Sequence, residues 1–190
     1  MWARLESNTI KEILIKPKAL TIGGVQYPSN VFSVWSNSEL ATIGIVPITI
    51  DSTNFKDKDY YINTDITYAY STETGKATGT YGTATAKLMT DTLFTAEDEA
   101  ADSNNVEGTV KNRGLKSEKK TQVNGTAQSL IQETDWMVIR EADGGTAMPS
   151  NIKTYRAAVR TKANTHCTSI DNAADVDALA ALPFDWPAKP

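Results

Sequence analysis

The stretch Pro149-Ser-Asn-Ile152-Lys-Thr-Tyr155-Arg156-Ala-Ala-Val159-Arg160-Thr-Lys-Ala163-Asn-Thr-His166-Cys167-Thr-Ser-Ile170 decides the helical half of this chain. Ile152, Tyr155, Val159, Ala163, Cys167 and Ile170 recur at three- or four-residue spacing, which places them along one side of an α-helix. Pro149 suits the first turn, where its missing amide proton would have had no partner. Asp143-Gly144-Gly145 just upstream is a strong turn signal. Downstream, Asp171 or Asn172 can cap a last helix carrying Val176, Leu179 and Leu182, which Pro183 ends.

Before that turn, Val110, Leu115, Val123, Ala127, Leu130 and Ile131 form a helical stripe that reaches Asp135, with Gly114 and Gly125 as weak points. Ala84, Leu88, Leu93 or Phe94 and the acidic run 97–102 suit an earlier helix, closed by the turn Ser103-Asn104-Asn105. Thr90 and Thr92 are poor helix formers within it.

Toward the N-terminus the period changes from helical to extended. Trp2 to Glu6 and Thr9 to Ile15 read as a hairpin about Ser7-Asn8, and Ile22-Gly23-Gly24-Val25 as a second tight reversal. Ser36 and Glu39 have capping-box spacing and Gly44 stands where a helix ends, so a short helix is expected over 37–43. Ile45 to Ile50 reads as a strand, placed at a sheet edge by Pro47. Runs at 60–64, 66–70 and 77–81 are aromatic or β-branched and extend the meander. The expectation is an α+β chain: a meander of short antiparallel strands with one short helix over 1–82, then a helical hairpin or small bundle over 83–190.

Composition narrows the function. A net charge of −4 and a pI near 5.1 argue against binding nucleic acid, which calls for a clustered basic face. The basic cluster of Lys111, Arg113, Lys116, Lys119 and Lys120 is interleaved with Glu107 and Glu118, as on a solvated helix face. No apolar run approaches the roughly 20 residues of a membrane span, and an apolar signal-peptide core is missing after Met1.

Catalytic material is scarce. The single cysteine, Cys167, leaves no intrachain disulfide, and with the single histidine, His166, it falls short of the four ligands of a structural zinc site. Walker, dinucleotide and nucleophile-elbow motifs are absent. Asp57 with Asp59, or Asp98 with Glu99, could serve as paired carboxylates, and Asp51 to Asn54 has oxygen-ligand character without the EF-hand pattern. No cofactor, metal or catalytic residue is expected. An enzyme or carbohydrate-binding module that uses the aromatic strands, with Tyr60, Tyr61 and Tyr68, is a further reading of these residues.

Distinctive residues remain: Thr134-Asp135-Trp136, Met148-Pro149, Tyr155-Arg156-Ala-Ala-Val-Arg160 and Phe184-Asp185-Trp186-Pro187, in that order. This order resembles the C-terminal region of tail-fibre assembly proteins of tailed bacteriophages. The chain departs from that pattern in Met137-Val-Ile-Arg140, where a looser connection is usual, and in an inserted segment, 171–182, before Trp-Pro. The resemblance implies a non-enzymatic protein that binds tail-fibre or other tail subunits during assembly in the host cytoplasm. The alternative it leaves open is a structural component of the virion tail, baseplate or fibre attachment region. Expected partner-binding residues are Trp136, Tyr155, Arg156, Arg160, Phe184 and Trp186, and a homo-oligomer is compatible with them.

Overall fold

A computed structural model describes all residues, 1–190, as a mixed α/β chain with a curled N-terminal sheet and a helical C-terminal region. It divides into two compact units, Met1–Thr85 and Ala86–Pro190. No helix is long and apolar enough to cross a membrane.

In the first unit, β1 (Trp2–Glu6) and β2 (Thr9–Leu14) form the expected hairpin. Ser7 and Asn8 both take positive φ, 49° and 61°, the hand that a two-residue turn needs to match strand twist. The strands β3 (Leu20–Ile22) and β4 (Val25–Tyr27) reverse at Gly23-Gly24. Two short helices follow, α1 (Val31–Val34) and α2 (Asn37–Thr42). The Ser36 hydroxyl accepts from the Glu39 amide while the Glu39 carboxylate accepts from the Ser36 amide at 2.7 Å, completing the capping box. The helix α1 escapes pattern reading because it is one turn of β-branched and aromatic residues, held by burial of Val31 and Phe32.

The strand β5 (Ile45–Asp51) is followed by β6 (Tyr61–Ile62), β7 (Ile66–Ser71) and β8 (Lys76–Tyr81). The sheet order is β2-β1-β5-β8-β7, and its outer strands β2 and β7 approach each other as it curls. Two expectations need correction. The strand β5 is central, not an edge, and it pairs parallel with β8, so the unit is no simple antiparallel meander. Pro47 is tolerated there because pairing changes partner at that residue: Ile45 to Pro47 face β1, and Ile48 to Asp51 face β8.

The sheet buries both faces. On one, Leu14, Leu20, Val31, Phe32, Leu40 and Ile45 pack with Trp2 and Trp35; on the other, Ala3, Val46 and Ala77 pack with Leu5, Ile13 and Tyr70. The alternation of Ile45 and Val46 along β5 is the period of two expected of a strand with two covered faces.

In the second unit the short strand β9 (Thr85–Ala86) crosses its start, and β10 (Thr92–Leu93) pairs with β11 (Val110–Asn112). The helix expected across 84–102 is therefore confined to α3 (Ala96–Ala101), opened by a Thr95–Asp98 capping box and burying nothing. Its threonine-rich approach is extended because β-branched residues favour the ladder. The helix α4 (Leu115–Gln132) starts later than expected, since Val110 belongs to β11 and Gly114 is the N-cap. It then runs unbroken through Gly125 and stops short of Asp135. The remaining helices are α5 (Asp135–Ala142), α6 (Ser150–Asn172) and α7 (Val176–Ala180). The last is capped by Asp175, whose carboxylate accepts from the Ala178 amide at 2.8 Å, in place of Asp171 or Asn172, and it ends before Leu182.

Asp91 anchors the start of α4 by accepting from the Gly114 amide at 2.7 Å and the Ser117 hydroxyl at 2.8 Å. A Cβ at Gly114 would lie 2.3 Å from the Thr90 carbonyl carbon, whereas one at Gly125 meets nothing within 4 Å. Gly114→Ala is expected to destabilise the second unit by about 1–3 kcal/mol through overpacking against backbone. Gly125→Ala, inside the same helix, should stabilise it by about 0.5–1 kcal/mol. Urea unfolding followed by tryptophan fluorescence separates the two signs.

Candidate partner-binding site

The helices α4 and α6 lie antiparallel, with Leu115, Val123 and Ala127 on one and Tyr155, Val159, Ala163 and Ile170 on the other supplying buried residues. At one end Lys116 donates to the Asp171 carbonyl and Lys120 pairs with the Asp171 carboxylate. At the other end Arg156 crosses from α6 to the end of α4. Its Nη1 donates to the Ile131 carbonyl at 2.7 Å and to the Thr134 hydroxyl at 2.6 Å, and its Nη2 donates to Asp135 Oδ1 at 2.7 Å.

Arg156, expected as a contact residue, is only 4% exposed and serves as an internal fastener. Its planar fork carries several donors in fixed directions, which suits three acceptors at once. The same bonds explain why Thr134-Asp135 and Tyr155-Arg156 occur in one chain: the first pair supplies the acceptors for the second. Tyr155, also expected as a contact residue, is buried inside the α4–α6 seam.

Phe184 and Trp186 are half-buried. Both stand edge-on to the His166 ring at 5.3 Å, and His166 Nε2 lies 2.9 Å from the Asp185 carbonyl. Lys162 pairs with the Asp185 carboxylate at 3.0 Å, and Lys189 pairs with Glu133. The segment 183–190 is thereby laid back on α6 and the end of α4. His166 is itself buried, packed against both aromatic rings.

Trp136 and Arg160 remain open. Trp136 is 53% exposed, and the Arg140 guanidinium sits 4.7 Å from its ring centroid. Arg140 is fixed in turn by donation from Nε to the Thr146 carbonyl at 2.9 Å. Met137-Val-Ile-Arg140, the stretch noted as departing from a looser connection, lies within helix α5, and none of the helix's eight residues is buried. Val138 is 43% exposed and Ile139 63%, so α5 carries a group of apolar side chains the protein does not cover. The run Trp136-Met-Val-Ile139 could have signalled this from sequence. Arg160 lies exposed one turn along α6 from Arg156.

The other candidates are occupied in local structure. Asp57 accepts from the Asp59 amide at 2.9 Å, and Asp51 from the Thr53 amide and hydroxyl, both as turn closures. Asp98 caps α3 and pairs with Lys111, and Glu99 accepts from the Glu107 amide at 3.1 Å. Tyr60 is buried, Tyr61 lies under the Lys56 ammonium, and the Tyr68 hydroxyl faces Met1 Sδ. No family model, curated protein or solved structure matches this chain.

Arg156→Ala is expected to cost about 2–4 kcal/mol, because it removes three hydrogen bonds from a charged donor, to Ile131, Thr134 and Asp135, and empties a buried site between the helices. Trp136→Ala should change stability by less than about 0.5 kcal/mol, as an exposed substitution. Chemical denaturation of the two variants checks this ordering.

The carboxylates of the second unit dictate its acid response. Donation from the Gly114 amide, then from Ser117, holds Asp91 below the usual carboxylate range. Lys189 does the same for Glu133, Lys153 for Glu141 and Lys162 for Asp185. A depressed folded pKa means that the unfolded chain binds more protons, so this stabilisation is present above the unfolded value and lost as pH falls through the folded one. Melting temperature is expected to hold near neutrality and to fall progressively below about pH 4. Asp91→Asn should flatten the acid limb, measured by circular dichroism melts across pH.

Proposed function

We propose that this chain is a non-enzymatic tail protein of a tailed bacteriophage that binds tail-fibre or other tail subunits during assembly in the host cytoplasm. The observation that carries the reading is α5, an eight-residue helix that buries none of its residues and presents Trp136, Val138 and Ile139. The sequence resemblance supplies the kind of partner, and the face supplies a means of holding it. A fibre subunit that has not closed into its oligomer exposes apolar surface and unpaired strand edges, which aggregate unless covered. A small apolar face on a helix already fastened by Arg156, Thr146 and Lys153 suits such a surface, because less ordering entropy is lost on binding.

A second reading, a permanent component of the virion tail, baseplate or fibre attachment region, is favoured by a separate feature. Ile15, Val25 and Val34 are strongly exposed in the first unit, as expected of a protein with more than one neighbour. Mass spectrometry of purified particles distinguishes the readings, since a transient helper is absent from them and a structural part is present.

Co-expression with a fibre subunit is expected to raise the soluble, oligomeric fraction of that subunit. The double substitution Trp136→Glu with Ile139→Glu should abolish the gain while leaving the melting temperature of this protein unchanged. Unaltered fibre solubility with the native chain, together with its absence from particles, would refute both tail readings.

A further inference from the structure

We infer that the groove beside α5 takes a segment of the partner in which an acidic side chain lies next to apolar ones. This inference rests on the proposed binding role and specifies the chemistry of what is bound. The groove is open, about 280 Å³, and lined by Val138, Glu141, Met148, Lys153, Arg156 and Arg160. Three of these side chains are cationic and one is anionic, in a chain whose net charge is −4. The excess is local and opposite in sign to the whole molecule.

Pairing within the protein reduces that excess to one group. Lys153 is held by Glu141 at 2.5 Å, and Glu141 also accepts from the Met148 amide. Arg156 is consumed by Ile131, Thr134 and Asp135. Arg160 is the groove cation with no hydrogen bond, ion pair or ring contact inside the protein. An exposed guanidinium beside fixed apolar walls is complementary to one carboxylate flanked by aliphatic or aromatic side chains.

The apolar part of the occupant is directed to α5. Val138 lines the groove, while Trp136, Ile139 and Arg140 stand together at the i, i+3 and i+4 positions of the helix. The Arg140 guanidinium over Trp136 holds that ring beside Ile139, outside the residues that line the groove itself. A basic segment would meet Lys153 and Arg160 as like charges, so the groove discriminates by sign as well as by hydrophobicity.

The test uses the full chain and a displayed library of random peptides as the probe. Selection on the native protein is expected to enrich sequences with Asp or Glu within a few positions of Leu, Ile, Phe or Trp. Binding of synthesised winners, read by fluorescence anisotropy, should weaken about tenfold or more for Arg160→Glu and much less for Arg160→Lys. Val138→Ala, at the exposed apolar residue of α5 that lines the groove, should weaken the same peptides. Circular dichroism melts confirm that each exposed variant remains folded.

Failure to enrich any peptide, enrichment without acidic bias, or affinity indifferent to Arg160→Glu would overturn the inference. Concentration-dependent self-association abolished by Ile139→Glu would also overturn it, since a second copy would then occupy the face. Fibre solubilisation without acidic preference defeats this inference and leaves the tail reading standing. Acidic–apolar selection with no effect on tail subunits defeats the tail reading alone.

Discussion

The guanidinium of Arg156 is the point on which the second unit depends. It meets the carbonyl end of α4, where helical C=O groups lack intrahelical partners and the helix dipole favours a cation. It also stands close to the amino end of α5, where a cation would be repelled. Asp135, in the first turn of α5, resolves this conflict by accepting from Arg156 and placing a negative charge at that end. Thr134, whose hydroxyl could have capped α5, instead donates to Ile131 and accepts from Arg156. Two helices are thus joined at a bend by a residue on a third.

That bend sets what the surface offers. Had α4 continued through Asp135, the residues 136–139 would have extended the α4–α6 seam. The break after Gln132 starts a new helix, and the run Trp136-Met-Val-Ile139 emerges on a segment with nothing buried. A lone eight-residue helix is marginal in water, so α5 needs fixing from outside. Arg156 on Asp135, Arg140 on the Thr146 carbonyl, and Glu141 between Lys153 and the Met148 amide provide it. Polar and charged contacts hold the helix, and its apolar side chains are left free.

The sequence was legible where local chemistry and tertiary packing agree. The Ser7-Asn8 hairpin, the Ser36–Glu39 capping box and the long stripe of α6 each follow from a signal a few residues long. It misled where a distant partner decides. Pro47 implied an edge, but a change of pairing partner at that residue makes a central position harmless. The helical stripe through 84–102 fails because Asp91 is engaged by Gly114 and Ser117, more than twenty positions away in sequence. Of the six contact residues read from the sequence, Tyr155 and Arg156 are internal and Phe184 and Trp186 brace His166. Their spacing carried no information on which side of the hairpin each would face.

Trp136 and Trp186 illustrate how one residue type divides between two tasks in a small unit. Trp186 follows a Pro-bounded segment that cannot form helix, so it reaches His166 only by folding back, and the Lys162–Asp185 and Lys189–Glu133 pairs hold it there. Those ion pairs are exposed and weak one at a time, but together they fix the register of a strap that closes the open side of α6. Closing that side with Phe184 and Trp186 leaves Trp136 unneeded for the core. The motif Thr-Asp-Trp therefore has an inward part, which ties α4 to Arg156, and an outward part, which the tie points into solvent. A substitution that loosened Arg156 would disturb the presentation of Trp136 without touching it, so structural and binding roles in this region are coupled through one guanidinium.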